Sequence, residues 1–337
     1  MSITLKEIAK QAGVSVSSVS LVLNNKPCRI SEATKNLIKK IAQQNNYKPN
    51  VIARSLVMKE TRTLGLLIPD IENLFFSTLA KTLEMEARRS GYTLIIVNSN
   101  DMAEEDLSLI DLLTARGIDG LFLIISNESY LMQDALKQKL NGLTIPYVMV
   151  DRIFNDYECN KVYFDNVEGA YIASKYLLEH GHRKIACICH SVVTRNTLSR
   201  LNGFKKAMDE YGIKVPREYI LPGNYRMDGG YRAGEQVLDT DCTAVFVCND
   251  MMALGLLKKL YESGKRIPGD YSVVSYDNLL SAYLLEVELS AVDQDIKELG
   301  IRSCELLLRC INKGDSKKEN ICLTPVLVER GSVADYA

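Results

Sequence analysis

The stretch TLKEIAKQAGVSVSSVSLVLNNKP, residues 4–27, decides the fold of the N-terminal part of the chain. Thr4 and Glu7 have the spacing of a capping box, in which a hydroxyl and a carboxylate satisfy the free backbone N–H groups that begin a helix. Apolar residues then recur at helical spacing until Gly13, which can adopt the left-handed conformation of a tight turn. Ser15 predicts the N-cap of a second helix. Two short helices joined in this way are typical of a helix-turn-helix.

A third helix is predicted to begin at Ser31 and to place Leu37, Ile38 and Ile41 on its inner face. The second helix leaves a face of small, hydroxylated and apolar side chains that is suited to the major groove. Serine hydroxyls can bind phosphates and base edges, and apolar side chains can contact a thymine methyl group. A solvated face of an ordinary three-helix bundle would show the same composition. The members of this face are Val16, Ser17, Ser18, Ser20 and Leu21.

Charge is distributed unevenly along the 337 residues, which hold 41 basic and 42 acidic side chains. Residues 1–60 contain ten Lys and Arg but three Asp and Glu, a net charge of +7, and the remaining residues carry −8. A basic segment attached to an acidic body predicts that one end of the protein binds a polyanion such as DNA.

Composition predicts a soluble cytoplasmic protein of two or three domains, since 47% of the residues are hydrophobic and 25% are charged. No apolar stretch reaches the ~18 residues of a membrane span, and the N-terminus lacks the apolar region of a signal peptide. Nine scattered cysteines are typical of reduced thiols in the cytosol. We expect a nucleoid-associated protein with no membrane partner.

The segment YKPNVIARSLVM, residues 47–58, predicts a linker helix of about eight residues. Pro49 ends the third helix, and Asn50 can cap the next one. Isolated helices shorter than ~12–15 residues are marginal in water, so this one should be ordered only when something packs against it. Leu56 is a candidate wedge for the minor groove, although it could equally cover the adjoining domain.

From Thr63 onward, short apolar runs alternate with amphipathic helical stretches such as residues 76–91 and 200–212. This order predicts doubly wound α/β architecture with buried parallel strands, and its length predicts two lobes. The predicted strands are LGLLIP (64–69), TLIIVNS (93–99), GLFLII (120–125), YVMVD (147–151), KIACICH (184–190), AVFVCN (244–249) and YSVVSYD (271–277).

Polar residues follow several of these strands, where ligands of open α/β sheets bind. Asp70, Asp151, Asn249 and Asp277 are examples, and Phe75 lies close to the first. Carboxylates and amides bind paired hydroxyls, and an aromatic ring packs on the C–H face of a sugar, so the set suits a polyol in a cleft between lobes. Any single strand-end Asp or Asn could instead only cap the next helix.

Residues 4–27, SEATKNLIKKIAQQNNYKPNVIARSL (31–56) and TRTLGLLIPDIENLFFSTLAKTLEMEARRSGYTLIIVNSN (61–100) together resemble the lactose-repressor (LacI/GalR) family of bacterial regulators. The resemblance extends over essentially the whole chain. It implies an N-terminal all-α helix-turn-helix with a hinge helix, followed by a two-lobed core like that of periplasmic binding proteins. The implied parts are a DNA-binding domain (1–46), a hinge and linker (47–60), one effector-core subdomain (61–161 with 291–323) and a second (162–290 with 324–337).

The resemblance implies a homodimer that inserts Leu56 of each subunit at the centre of a near-palindromic operator. Family members usually have arginine at the position of Leu21, and arginine can read guanine with ~1–3 kcal/mol of discrimination. The operator should therefore differ there, and Arg29 and Arg54 are candidates to compensate. The implied base-reading residues are Val16, Ser17 and Leu21, the phosphate-binding residues are Thr4, Ser15, Ser18, Ser20, Asn24, Ser31 and Thr34, and Tyr47, Asn50 and Ala53 complete the set.

The resemblance also implies an effector pocket. A sugar or sugar derivative is the expected effector, and a purine or nucleoside that acts as corepressor is the alternative. The positive charges of Arg152, Arg200 and Arg226 are also compatible with a phosphorylated or acidic ligand. The implied pocket residues are Asp70, Asn73, Phe75, Asp151, Asn196, Arg200, Tyr225, Asn249, Asp277 and Gln294.

Other classes of protein fit the sequence less well. Cys187, Cys189 and His190 are too few for a closed zinc site, so we expect buried thiols, no metal and no cofactor. No catalytic motif is found, which argues against an enzyme. A solute-binding protein would need a signal sequence and has no use for residues 1–60. The C-terminal residues GSVADYA provide no heptad tail, so a dimer is expected.

Overall fold

The computed structural model describes residues 3–24, 26–45, 47, 60–192, 194–283, 285–313 and 317–336. The chain divides into two compact units, residues 1–61 and 62–337.

The N-terminal unit contains the three predicted helices. Thr4 and Glu7 form the capping box, with each side chain bonded to the other residue's backbone N–H. Gly13 ends the first helix at a φ of 67°, and Ser15 and Ser31 cap the second and third helices. The helices are α1 (Leu5–Ala12), α2 (Val16–Leu23) and α3 (Glu32–Gln44).

The three helices pack around Ile8, Val19 and Ile38, which are fully buried. The prediction that Leu37 faces inward is wrong, since 45% of it is exposed. The helical period brings Ile38 and Ile41 onto the inner face and turns Leu37 away from it. The predicted linker helix, with Asn50, Ala53, Arg54 and Leu56, lies outside the described residues.

The second unit is an α/β core built on two sheets, as the alternation of apolar runs predicts. Its strands are β1 (Thr63–Ile68), β2 (Thr93–Asn98), β3 (Gly120–Leu123), β4 (Tyr147–Val150), β5 (Asn160–Phe164), β6 (Ile185–His190), β7 (Ile220–Gly223), β8 (Ala244–Val247), β9 (Ser272–Asp277), β10 (Ser290–Asp293), β11 (Asn320–Leu323) and β12 (Val326–Val328). Its helices are α4 (Leu74–Arg89), α5 (Ala103–Ala115), α6 (Gln133–Asn141), α7 (Asn166–Glu179), α8 (Arg195–Glu210), α9 (Met227–Leu238), α10 (Asp250–Glu262) and α11 (Ile296–Lys313).

The two sheets confirm the doubly wound architecture. The first has the order β11-β5-β4-β3-β1-β2 and pairs its strands in parallel. The second has the order β12-β10-β9-β8-β6-β7 and is parallel except where β12 pairs with β10. All carboxyl ends of the parallel strands within a sheet lie at one edge, so the loops that follow them meet there.

Two sequence predictions need correction. The run at residues 93–99 is not a buried strand: β2 is the edge of its sheet, and Ile96 is 42% exposed. The predicted subdomain boundaries after residues 161 and 290 fall inside strands, since β5 lies whole in the first sheet and β10 whole in the second. The order of strands depends on long-range pairing, which local patterns do not encode.

The predicted helices begin earlier than their apolar pattern suggests, because Asn73 caps α4 and Thr194 caps α8. Helix α8 packs closely on α7 at Gly203, where an added Cβ would lie 2.1 Å from the carbonyl oxygen of Val167. Only glycine permits this approach. As a result Arg200 reaches Asn166, and its Nε donates to the amide oxygen at 2.7 Å.

Candidate functional site

A small cavity lies where loops from the carboxyl ends of both sheets meet. It contains nine of the ten predicted effector-binding residues. Phe76 and Arg152 are additional wall residues, and the predicted Asp70 is not part of the wall. The lining residues are Asn73, Phe75, Phe76, Asp151, Arg152, Asn196, Arg200, Tyr225, Asn249, Asp277 and Gln294.

Three of the lining residues hold the backbone in the left-handed region. Asp151, Tyr225 and Asp277 have φ values of 59°, 59° and 98°. Asp151 and Tyr225 lie just after β4 and β7, and Asp277 is the last residue of β9, where the chain turns into the next loop. Such conformations are costly for residues other than glycine and cluster at functional sites, where they aim side chains into a pocket.

Arg200 is held in the wall by several neighbouring groups. Besides Asn166 it donates to the carbonyl oxygen of Cys248, and its guanidinium stacks 3.8 Å from the ring centre of Tyr276. Its Nη2 lies 4.0 Å from a carboxylate oxygen of Asp277. Burial raises the pKa of Asp277 although Arg200 opposes this shift. Arg200 and Asp277 thus place a hydrogen-bond donor and a carboxyl group side by side in the wall, with little access to water.

Some polar atoms of the wall have no partner among the described residues. Both amide atoms of Gln294 and Oδ1 of Asp151 are buried and make no hydrogen bond. Gln294 is 1% exposed. Burying such atoms without a partner costs about 1–3 kcal/mol each, so native proteins rarely retain them without a functional reason. These atoms can accept from and donate to the hydroxyl groups of a bound molecule.

Two wall residues also cap helices. This was the alternative role that the sequence left open for polar residues at strand ends. Oδ1 of Asn73 accepts from the N–H of Phe75, and Oδ1 of Asn249 accepts from the N–H of Met252. Nδ2 of Asn249 also donates to the carbonyl oxygen of Tyr225, which fixes the loop that carries this ring. Capping and lining the cavity are therefore compatible roles for these two residues.

Asp70 lies at the mouth of the cavity instead of in its wall. Its carboxylate pairs with Arg226 at 3.0 Å and accepts from the N–H of Glu72. It borders a second, outer cavity that shares Asn73 and Tyr225 with the first. The sequence places Asp70 after a strand but does not reveal the direction of its side chain.

In the N-terminal unit, the face of α2 predicted to read DNA is exposed. Val16 is 40% and Leu21 36% exposed, and Ser17 is exposed between them. Ser18 and Ser20 are partly buried on the same helix. Val19 of the same helix faces the core, so the predicted DNA-reading face points away from it. The contact of this face with DNA stays a prediction.

The other predicted DNA-binding residues have local roles at helix ends. Thr4, Ser15 and Ser31 are N-caps, and Thr34 bonds to Ser31 at 2.9 Å. Asn24 caps the end of α2 and donates to Ser20. Arg29 is exposed between α2 and α3, and Tyr47 is partly buried against the helical core. Asn50, Ala53 and Leu56 lie outside the described residues.

Cys187 and Cys189 are buried in β6, as predicted, and Cys187 lies 4.0 Å from the sulfur of Cys248. Within the described part of the chain, no three His, Cys, Asp or Glu side chains are arranged to hold a metal ion. In the same part of the chain, no helix is long and apolar enough to cross a membrane.

Comparison with known proteins identifies relatives over nearly the full length. The model of the bacterial regulatory proteins of the lacI family matches residues 4–50, and that of a periplasmic binding protein-like domain matches residues 174–333. The HTH-type transcriptional repressor PurR of Vibrio atlanticus (strain LGP32) is 36% identical over 332 residues, which are 98% of each chain. That of Vibrio cholerae serotype O1 (strain M66-2) is 35% identical over 334 residues, again 98% of each chain.

Solved structures agree with this relationship. The lac repressor dimer bound to operator and the anti-inducer ONPF matches 99% of this chain and 100% of its own, with a TM-score of 0.87 and 25% identity. A LacI family transcriptional regulator from Enterococcus faecium with bound ribose matches 82% of this chain and 100% of its own, with a TM-score of 0.72 and 33% identity. These relatives are named as transcriptional repressors or regulators, the class of protein that the sequence predicts. The chain belongs to the lacI family of bacterial regulatory proteins.

Proposed function

We propose that this protein is a homodimeric transcriptional repressor whose affinity for a near-palindromic operator is controlled by a small molecule in the cavity of the core. The helix α2 reads the operator, and the linker of residues 47–60 joins it to the core. The two sheets with their helices act as lobes around the effector. The protein works in the cytoplasm, associated with the nucleoid.

The effector that fits the cavity best is a small sugar. The wall combines buried carboxylates, amides and two arginines with Phe75, Phe76 and Tyr225, a pattern that suits a ring with several hydroxyl groups. The observation that carries this proposal is the unpartnered Gln294 amide and Asp151 oxygen, which need donors and acceptors from a ligand.

A purine or nucleoside that acts as corepressor is the second candidate. The relatives named PurR, at 35–36% identity over nearly the whole chain, favour it. The amide of Gln294 could pair with the edge of a base as well as with hydroxyl groups. Two carboxylates in the wall are better matched by the donors of a polyol, which is why we place the sugar first.

A thermal-shift screen of the full chain separates these candidates. The panel contains D-ribose, D-glucose, hypoxanthine, guanine and adenosine. A ligand at 100 times its dissociation constant stabilises the folded protein by ~2.7 kcal/mol, which raises the melting temperature by about 5 °C or more. We expect a sugar to produce this shift. A shift with a purine and with none of the sugars would instead establish the second candidate.

DNA binding distinguishes a repressor from a solute-binding protein built on the same core. A gel shift with a duplex that the protein itself selects from a random-sequence pool should show a steep fall in affinity with salt, because each phosphate contact releases counterions. The absence of any selected duplex would contradict the proposed function.

A further inference from the structure

We propose that Asp101, which does not line the cavity, determines the charge of the effector: by neutralising Arg152 it makes the cavity select neutral sugars and exclude phosphorylated or carboxylated ones. The proposal rests on the proposed function, because it concerns the same cavity and takes its ligand to be a sugar. It also answers whether the arginines noted in the sequence bind a phosphorylated or acidic ligand.

Each arginine of the wall already has a carboxylate beside it: Arg152 pairs with Asp101 at 2.7 Å, and Arg200 lies 4.0 Å from Asp277. The lining residues include two arginines, Arg152 and Arg200, and two carboxylates, Asp151 and Asp277. Arg200 already donates to neighbouring oxygens and stacks on an aromatic ring, as described above. The third arginine that could have bound an anion, Arg226, pairs with Asp70 at the mouth. An anionic group would therefore enter a site in which each cation already faces a carboxylate.

Asp101 is held rigidly against Arg152. Its Oδ1 accepts from Nη1 of Arg152 at 2.7 Å and from the N–H of Asn127 at 2.8 Å, and its Oδ2 accepts from Nδ2 of Asn127 at 2.7 Å. Arg152 also donates to the carbonyl oxygen of Ile125 and stacks 5.0 Å from the ring centre of Phe76. The side chain of Arg152 is 7% exposed, so the pair is poorly screened by solvent.

Asp101 is ionised at neutral pH, as the proposal needs. Burial alone would raise the pKa of Asp101, but the charge of Arg152 and the N–H groups of Asn127 outweigh burial and lower it. Asp101 lies in the loop three residues after the edge strand β2 and has a backbone φ of 64°. This strained conformation positions the carboxylate for its partner.

A neutral sugar and its phosphate should differ in their free energy of binding to this site. Guanidinium groups carry five N–H donors, so Arg152 can still bind a hydroxyl oxygen while it pairs with Asp101. A phosphate would lose its hydration beside Asp151 and Asp277 without gaining an unpaired cation. We therefore expect the wild-type protein to bind a neutral sugar at least about tenfold more tightly than its phosphate, a difference of about 1.4 kcal/mol.

The test is isothermal titration of the full chain with two matched pairs, D-ribose with D-ribose 5-phosphate and D-glucose with D-glucose 6-phosphate. The variant Asp101→Asn keeps an oxygen for the N–H of Asn127 but leaves Arg152 unneutralised. It should shift the ratio of affinities at least about tenfold toward the phosphate. The control Asp156→Asn removes an equal charge from the surface pair with Lys137, and it should leave the ratio unchanged.

A second pair of variants links the effect to Arg152. Asp101→Asn combined with Arg152→Met should lose the gained affinity for phosphate, because the freed cation is gone. Persistence of that gain in the double variant would overturn the proposal. Arg152→Met alone leaves Asp101 unpaired and should make the wild-type discrimination against the phosphate stronger, which provides a test if Asp101→Asn does not fold.

The outcomes separate this proposal from the proposed function. If a neutral sugar binds but its phosphate binds the wild type equally well, the proposal about Asp101 is wrong and the sugar effector stands. A folded Asp101→Asn protein with an unchanged ratio leads to the same conclusion. If neither neutral sugar binds while a purine does, the sugar effector itself is wrong, and the proposal about Asp101 falls with it.

Discussion

Arg226 and Asp70 form an ion pair across the mouth of the cavity, with Nε and Nη2 of the arginine 3.1 and 3.0 Å from Oδ2 of the aspartate. Asp70 follows β1 of the first sheet, and Arg226 lies between β7 of the second sheet and α9. Farther inside, Nδ2 of Asn196 lies 3.4 Å from Oδ2 of Asp151 and again joins the two sides. The pair at the mouth thus links the two sides of the cavity where a ligand must enter.

The first prediction is that Arg226→Met speeds release of the effector. The side chain of Arg226 is 55% exposed, so the pair contributes only about 0.5–1 kcal/mol, and the dissociation rate should rise about twofold to fivefold. Stopped-flow measurement of effector release tests this. The matched control is Arg232→Met, which breaks the exposed pair with Asp228 on α9 and should not change the rate. Slower or unchanged release in Arg226→Met would show that the pair does not hold the mouth.

The second prediction concerns Gln294, whose amide is buried and unpartnered within the described structure. Gln294→Met should leave the free energy of unfolding unchanged or raise it by ~1 kcal/mol, because a buried polar group without a partner is removed. The same variant should bind the effector about tenfold more weakly, since each of two lost hydrogen bonds contributes about 0.5–1.5 kcal/mol.

Urea unfolding and titration calorimetry measure the two effects of Gln294→Met. The exposed Gln236 on α9 provides the control, and Gln236→Met should change neither quantity. A loss of stability without a loss of effector affinity would mean that Gln294 stabilises the fold and does not bind the ligand.

These residues show what the sequence could and could not predict. The capping box of Thr4 and Glu7, the turn at Gly13 and the apolar strand runs are local signals, and the structure confirms them. Asp151 and Asp277 could be assigned to a pocket because parallel strands bring their carboxyl ends to one edge. The resemblance to a known family supplied the more distant Gln294.

Other features depend on contacts between distant parts of the chain. Asp101 and Arg152 are 51 positions apart, and no spacing indicates their pairing. Asp70 looks the same in sequence as Asp151, since both follow a strand, but its loop turns the carboxylate toward Arg226. The edge position of β2 follows from the order of strands, which local hydrophobicity does not determine.

The third prediction is that Gly203→Ala lowers stability and disturbs the cavity. The new Cβ would lie 2.1 Å from the carbonyl oxygen of Val167, so α7 and α8 must separate. We expect a loss of about 1–3 kcal/mol together with weaker effector binding, because the contact of Arg200 with Asn166 depends on this approach. Thermal unfolding and calorimetry provide the measurements.

Gly142→Ala is the control for this substitution, since its nearest neighbour would be 3.4 Å away and its φ is −84°. It should change stability by less than about 0.5 kcal/mol. Equal effects at the two glycines would refute the close helix packing.

The fourth prediction concerns the pH dependence of stability. Burial raises the pKa of Asp250 to about 6, although Ser275 and the N–H groups of Leu279 and Leu280 oppose the shift and the charge of Arg330 lowers it. The folded state then holds a proton that the unfolded state releases near the ordinary value of 3.8. The contribution of Asp250 to stability is therefore present at low pH and is lost as pH rises through this window.

Urea unfolding at pH 4.5 and pH 7.5 tests this sign with the variant Asp250→Asn, which resembles the protonated form. The wild type should lose more stability than the variant between the two pH values. The reverse order would show that Asp250 is ionised throughout. Asp101, whose pKa is lowered, should behave in the opposite way, and its stabilisation is lost as pH falls.

The most direct test of the account is reciprocal linkage between effector and operator, measured by fluorescence anisotropy with a labelled, selected duplex at fixed salt. We predict that a saturating sugar changes the operator dissociation constant about 5–150-fold, and that saturating operator changes the sugar dissociation constant by the same factor. If a sugar that binds the core leaves the operator affinity unchanged, the cavity does not control DNA binding, and the central claim is contradicted.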